Sequence, residues 1–238
     1  MTLPSVINEH QERAKVTQLN AAYSILSQAV SKMINDEGST IDAWGDDKQE
    51  RIDKFNELFP KYVQVIKTCK AASGCIGTTY FFPSLEQSNY GCDALSVCYV
   101  LNNGIGIRVR ATGTCQQDTT LSKKGYAEFD TDGTTSVYYG TYLHSCGEIL
   151  VDLNGPSGPN KNNVDAFVFK IVQNGIVPAG GAKENVWTER FDYQCLGTNP
   201  HLLSFGRCTS WIIYNKNMDY LHCTGLSWDG AHTCKDVK

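Results

Sequence analysis

From Leu19 onward, apolar residues recur three and four positions apart, as Leu19, Ala22, Tyr23, Leu26, Ala29, Val30 and Met33. That spacing gathers them on one face of an α-helix, while His10, Arg13, Thr17, Ser24, Gln28 and Ser31 fall on the other. Pro4 suits a first helical turn, where its missing N–H costs nothing, and neither proline nor glycine interrupts the chain again before Gly38. The pattern predicts a helix over Pro4–Ile34, about 45 Å long at the usual rise per residue. Traced toward the N-terminus, the apolar stripe meets Lys15, Glu12 and Asn8, so its buried face ends near Val16 and the first turns should protrude.

After the Asp36-Glu37-Gly38-Ser39 break, a second helix is expected over Asp47–Thr68, striped by Ile52, Phe55, Leu58, Phe59, Tyr62, Val63 and Ile66 and kinked or divided at Pro60. Beyond Cys69 helical periodicity gives way to short β-rich runs. These are Thr78–Phe82, Ala94–Leu101, Ile105–Ala111, Ser136–Tyr142, Ile149–Leu153, Ala166–Val172 and Ser210–Tyr214. Asn102-Asn103-Gly104 sits between two of them and reads as a hairpin turn. Helices first and strands afterwards predict an α+β fold, a long N-terminal helix packed on an antiparallel sheet.

Composition adds one strong constraint. Ten cysteines occur in 238 residues, and none precedes Cys69: they are Cys69, Cys75, Cys92, Cys98, Cys115, Cys146, Cys195, Cys208, Cys223 and Cys234. An even number this high predicts up to five disulfides, of open connectivity, in loops that fold in an oxidising compartment. The C-x2-C pairs of structural zinc sites do not occur. A net charge of −4 gives no basic field for a phosphate backbone, so no nucleic-acid partner is expected. No apolar run reaches the ~20 residues that span a bilayer. Met1 to Glu9 also lack the charged and apolar regions of a cleavable signal. A disulfide-bonded chain needs an export route, so the expectation is that this sequence lacks an N-terminal segment.

Candidate chemistry is sparse. The histidines, His10, His144, His201, His222 and His232, have no partner set by spacing, and cysteines held in disulfides cannot attack a substrate. G-x-S-x-G, H-E-x-x-H and the phosphate-binding G-x-x-x-x-G-K are not found, so no residue is assigned a catalytic or cofactor-binding role. Asp130-Thr131-Asp132-Gly133 and Asp152-Leu153-Asn154-Gly155 each set two oxygen ligands at alternate positions before a glycine. That is how many calcium loops open, making Asp130, Asp132, Asp152 and Asn154 candidate calcium ligands. Neither segment completes an EF-hand, Pro156 occupies the next ligand step of the second, and Asx-turns explain both equally well. Asp165 could join the second site only if its loop folds back. The aromatic residues read as core, with Tyr138-Tyr139 and Trp228 the alternatives for an adhesive or sugar-binding surface.

Thr2–Ile7, Val16–Leu19, Ala22–Ser24 and Leu26–Ala29 resemble the end of the membrane segment and the lower spine helix of bacterial proteins with a prepilin-type N-terminal cleavage and methylation motif. Val151–Asn160, Asp165–Phe169, Cys208–Tyr214 and Asn217–Leu221 resemble the globular heads of that group, the Asp-x-Asn-Gly and Gly-Pro-Asn pair being the most specific part. The cleavage-site glycine, the phenylalanine after it, the glutamate a few residues on and the apolar half-helix are not in this sequence. The resemblance implies a type IV pilin-like or pseudopilin subunit, with residues 1–35 the C-terminal half of a spine helix and 36–238 the head packed on it as one unit. It further implies other pilin-like subunits as partners through the helix, with the inner membrane met through the missing segment before assembly. The expected place is a filament at the cell surface or in the periplasm. The alternative of another class is an extracellular binding module, such as an adhesive minor pilin.

Overall fold

The computed structural model describes residues 3–69, 74–81, 87–89, 91–93, 95–111, 115, 117–118, 126–129, 135–138, 142–143, 145–173, 175–180, 195, 206–223, 225–226 and 234. Helix α1 spans Leu3–Glu37. Helix α2, Lys48–Leu58, begins on an Asp47 cap whose carboxylate accepts from the Glu50 N–H at 2.9 Å, while Glu50 accepts in turn from the Asp46 N–H at 2.7 Å. The strands are β1 Val65–Cys69, β2 Thr79–Phe81, β3 Gln87–Asn89, β4 Ser96–Leu101, β5 Gly106–Ala111, β6 Gln117–Asp118 and β7 Tyr126–Phe129. They continue as β8 Thr135–Tyr138, β9 Tyr142–Leu143, β10 Gly147–Asp152, β11 Asn160–Lys161, β12 Ala166–Val172 and β13 Gly175–Pro178. A short helix, α3, covers Thr209–Asn215.

The architecture is α+β, as the segregation of patterns predicts. Six strands pair antiparallel in the order β1-β4-β5-β10-β12-β13. The β4–β5 turn is the predicted Asn102-Asn103-Gly104, with Gly104 at φ +84° where a side chain would be strained. Residues alternate between the faces of the sheet. Tyr99, Ile107, Val109, Ile149, Val151, Phe167 and Phe169 join the stripe of α1 in the main core. Cys98, Leu150, Ala166 and Val168 face the other way, into a second cluster with Cys75, Ile76 and Tyr80. The cover on that side includes a three-stranded sheet, β11-β2-β3, in which β11 pairs parallel with β2.

Burial along α1 follows the predicted stripe. Leu19, Ala22, Leu26 and Met33 are fully buried, Tyr23 stacks on Phe169 at 5.2 Å between ring centroids, and from Ile7 onward Val16 is the first buried residue. Ile7 to Gln11 are all exposed. Beside α1, Trp44, Phe55, Phe59 and Tyr99 make a chain of ring contacts, adjacent centroids 5.0–6.4 Å apart, that seats α2 over β4 and β5.

Three predicted elements differ. The helix expected over Asp47–Thr68 stops at Leu58; Pro60 tightens Phe59–Lys61 into one 3-10 turn, and the β-branched Val65, Ile66 and Thr68 pass into β1. Ile66 consequently leaves the expected stripe and is exposed. The run Ser136–Tyr142 divides between β8 and β9, which pair with β7 and β6 respectively; residues 139–141 lie outside the described residues. Ser210–Tyr214, read as a strand from its Trp-Ile-Ile core, is helical in α3. Tertiary neighbours override the strand propensity there: Thr209 to Ile213 are all buried, α3 packs on α1, β12 and β13, and Thr209 Oγ1 accepts from the Val168 N–H at 2.9 Å.

Five disulfides pair the cysteines in sequence order: Cys69–Cys75, Cys92–Cys98, Cys115–Cys146, Cys195–Cys208 and Cys223–Cys234. The loop closed by Cys115–Cys146 spans 31 residues, and chain-entropy bookkeeping assigns about 3–4 kcal/mol to a closure of that length. The segment it spans carries β6 to β9, which pair only as two small sheets apart from the main one. The thiol count therefore places folding in an oxidising, extracytoplasmic environment. No helix among the described residues is long and apolar enough to cross a membrane.

The two halves of α1 should respond differently to substitution. Leu26→Ala should cost about 2–5 kcal/mol in urea unfolding, whereas Arg13→Ala, on the exposed stretch, should stay within about 0.5 kcal/mol.

Candidate functional site

Of the sequence-predicted ligands, Asp130 and Asp132 lie outside the described residues. The other pair sits where β10 ends and the chain loops back to β12. Asp152 is the last residue of β10, opposite Gly106 on β5 and Ala166 on β12, and has no solvent exposure. Strand alternation turns its side chain to the face covered by β2 and the loop before it. There its Oδ2 accepts from the Tyr80 hydroxyl at 2.6 Å and from the Gly77 N–H at 3.0 Å.

Those two donors leave the carboxylate half served. Oδ1 of Asp152 has no hydrogen-bond partner, and burial pushes the group up to about 6 despite the donors and with some help from the nearby charge of Asp165. The Asn154 N–H also favours the ionised form, but from a position too poor to count as a full hydrogen bond to Oδ1. Burial and the facing carboxylate raise the Tyr80 hydroxyl far above its ordinary value, so it remains a donor.

The loop closes tightly on itself. The Gly155 N–H returns to the Asp152 carbonyl at 3.1 Å and the Ser157 N–H to the Asn154 carbonyl at 3.2 Å. Asn160, at the start of β11, is brought back beside Asp152, a neighbour that sequence spacing did not single out. An added Cβ on Gly77 would run into the Asn160 amide nitrogen and stand 3.3 Å from Asp152 Oδ2, so only glycine leaves room for the Asn160 amide beside that carboxylate. The sole hint in the sequence is the Gly158-Pro159-Asn160 turn.

Asp165 does fold back, but toward α1. Its Oδ1 meets the Lys15 ammonium at 2.8 Å and its Oδ2 accepts from the Lys161 N–H at 3.2 Å. Close by, His222 Nε2 lies 2.9 Å from both carboxylate oxygens of Glu12, and the Lys216 ammonium donates to Asn20 Oδ1. Of the polar residues on the early turns, Glu12 and Lys15 therefore grip their own head, while Glu9 and Arg13 pair with each other on the exposed surface.

One further grouping, Asp42 with Cys115 and Cys146, brings three potential metal-binding atoms together. Its sulfurs are joined to each other, and the Asp42 carboxylate is engaged by the Cys115 N–H at 3.1 Å, so no thiolate pair is offered to a soft metal. His144, His201, His232, Tyr139 and Trp228 lie outside the described residues, and of Tyr138 only the backbone position on β8 is described. Compared with protein-family models, with curated proteins and with solved structures, the chain matches none.

A buried carboxylate with a raised pKa makes the fold pH-dependent. Raised from 3.8 to about 6, Asp152 stabilises the fold fully below its unfolded pKa, and that contribution is lost as pH climbs through about 6. The two pKa values imply about 2 kcal/mol lost between pH 4 and pH 8 from this group. Asp152→Asn should remove that part of the slope, as read from urea midpoints across the range.

Proposed function

We propose that this chain is a structural subunit of a type IV pilus-like filament or type II secretion pseudopilus, working by assembly and not by catalysis. The observation that carries the reading is the division of α1. From Val16 onward α1 buries one face, the stripe Val16, Leu19, Ala22, Leu26, Ala29, Val30 and Met33, whereas Ile7 to Gln11 are exposed all round, before the first grip on the head at Glu12.

An exposed stretch of this kind is expensive to keep as an isolated helix. Its only ion pair, Glu9 with Arg13, is solvated and worth about 0.3–0.5 kcal/mol. The stretch gains a purpose if it packs against the same helix of neighbouring subunits, and Ile7, 48% exposed, offers an apolar contact for that packing. The disulfide-stapled head supports the same reading, because filament subunits of this kind fold outside the cytoplasm. The resemblance in the Asp152–Asn160 loop adds to it, since those residues close the end of β10 near the centre of the sheet.

The reading requires an apolar segment upstream of Leu3 in the native gene product. Mass spectrometry of the protein from its source cells should find an N-methylated residue heading such a segment; a native chain that starts at Met1 would overturn the proposal. In those cells Ile7→Lys should abolish recovery of the subunit in sheared filaments while leaving the melting temperature of the isolated head unchanged. An adhesive module that works as a monomer would tolerate the same substitution.

A further inference from the structure

Four of the ten cysteines meet at one edge of the main sheet. Cys69 ends β1, the outermost strand, and stands directly opposite Cys98 on β4. Opposite residues of an antiparallel pair share a face, with Cα atoms about 4.5–5.5 Å apart, inside the span that a disulfide bridges. Neither bonds to the other, because Cys69 is joined to Cys75 and Cys98 to Cys92, each six positions away in sequence. All four lie in the second apolar cluster, where the Cys92 sulfur rests 3.6 Å from the Cys69 carbonyl oxygen.

The two local bonds tie each turn to its own strand and put no covalent link between β1 and β4. A bond from Cys69 to Cys98 would rivet the outer strand to the sheet. It would also close a far longer loop, and so constrain the unfolded chain more than either local bond does. On the other side of Cys98, again directly opposite, stands Arg108 of β5. It is 8% exposed, and its guanidinium reaches Asp93, the residue after Cys92, at 3.5 Å. A permanent cation beside a sulfur favours the thiolate, which makes that sulfur the better leaving group.

We propose that Cys69, Cys75, Cys92 and Cys98 form a thiol–disulfide exchange centre with two covalent states, the local pairs and a crossed set in which Cys69 bonds Cys98 and Cys75 bonds Cys92. The exchange is started by a small thiolate of the glutathione class. It attacks the sulfur of Cys92, the more exposed of its pair at 7% against 0%, and the Cys98 thiolate departs beside Arg108. Cys98 then attacks the sulfur of Cys69 across the strands and releases the Cys75 thiolate. That thiolate attacks the mixed disulfide on Cys92 and returns the small thiolate. Two disulfides stand at the start and two at the end, so the protein is neither oxidised nor reduced and the starter is recovered. What changes is the hold on the edge of the sheet: the crossed state pins β1 to β4. The centre is independent of the filament reading and stands or falls separately from it.

The test uses the 238-residue chain with its disulfides intact, held with reduced and oxidised glutathione at mildly alkaline pH and quenched with acid at intervals. Without reduction, the chain is cleaved between its cysteines and the linked peptides are identified by mass spectrometry. A peptide pair holding Cys69 and Cys98 should appear and grow with time at the expense of the local pairs, while Cys115–Cys146 is unchanged. Without the thiol, no such growth should occur. Carried together, Cys75→Ser and Cys92→Ser should leave Cys69 and Cys98 to bond each other in air. That chain should melt about 5–10 °C above one in which all four are serine. Local pairs that persist alone in the thiol buffer overturn the proposal, as does capture of Cys92 by glutathione with no crossed peptide. A double variant that keeps Cys69 and Cys98 as free thiols overturns it as well.

Discussion

A central sheet that is apolar on both faces has to be covered twice, and that requirement organises this protein. Along β12 every residue from Ala166 to Val172 is buried, so Phe167, Phe169 and Ile171 need one partner layer while Ala166 and Val168 need another. Helix α1 supplies much of the first cover with the stripe from Leu19 to Met33. The second has no long helix among the described residues. It is built from short strands and loops, which bury less apolar surface per residue and depend on covalent closure at Cys69–Cys75 and Cys92–Cys98. No disulfide joins α1 to the head; the helix is held by its apolar stripe and by the contacts of Glu12, Lys15 and Asn20 with His222, Asp165 and Lys216.

Much of this organisation is legible in the sequence, and the failures have a common physical cause. The stripe of α1, the Asn102-Asn103-Gly104 turn and the central strands were readable because each is a local pattern that the fold did not oppose. Ser210–Tyr214 carries the same β-branched and aromatic signal as a strand, yet its burial beside α1 and β12 makes it helical, and only tertiary neighbours distinguish the two. The misread end of α2 is different in kind. A period of 3.6 continued through Tyr62, Val63 and Ile66 by coincidence, and Pro60 was the stronger signal.

The loop site was half legible. Asp152-x-Asn154-Gly155 announces a tight turn with oxygens on it, but not the return of Asn160 beside it, which depends on a glycine 83 residues earlier in the chain, Gly77. Asp165, which could join that site only on a fold-back of its loop, does fold back, but its carboxylate goes to Lys15 on α1. Similarly, ten cysteines announce disulfides, while the in-order pairing appears only once the strands bring each partner close, as Cys69 and Cys98 illustrate: they face each other across β1 and β4 yet bond to Cys75 and Cys92.

Asp165 links the two features that matter for function. Its backbone carbonyl accepts from the Leu153 N–H at 2.8 Å, one residue from Asp152, and its carboxylate holds Lys15 at the point where α1 leaves the head. One residue thus touches both the end of β10 and the seat of the helix. The ion pair is only partly exposed, 27% and 11% on its two side chains, so water screens it less than the Glu9–Arg13 pair farther out. With Glu12 on His222 one turn earlier, the helix is clamped at two consecutive turns before its apolar stripe begins. A rigid exit is what a subunit needs if the stretch before the clamp is to present a fixed surface.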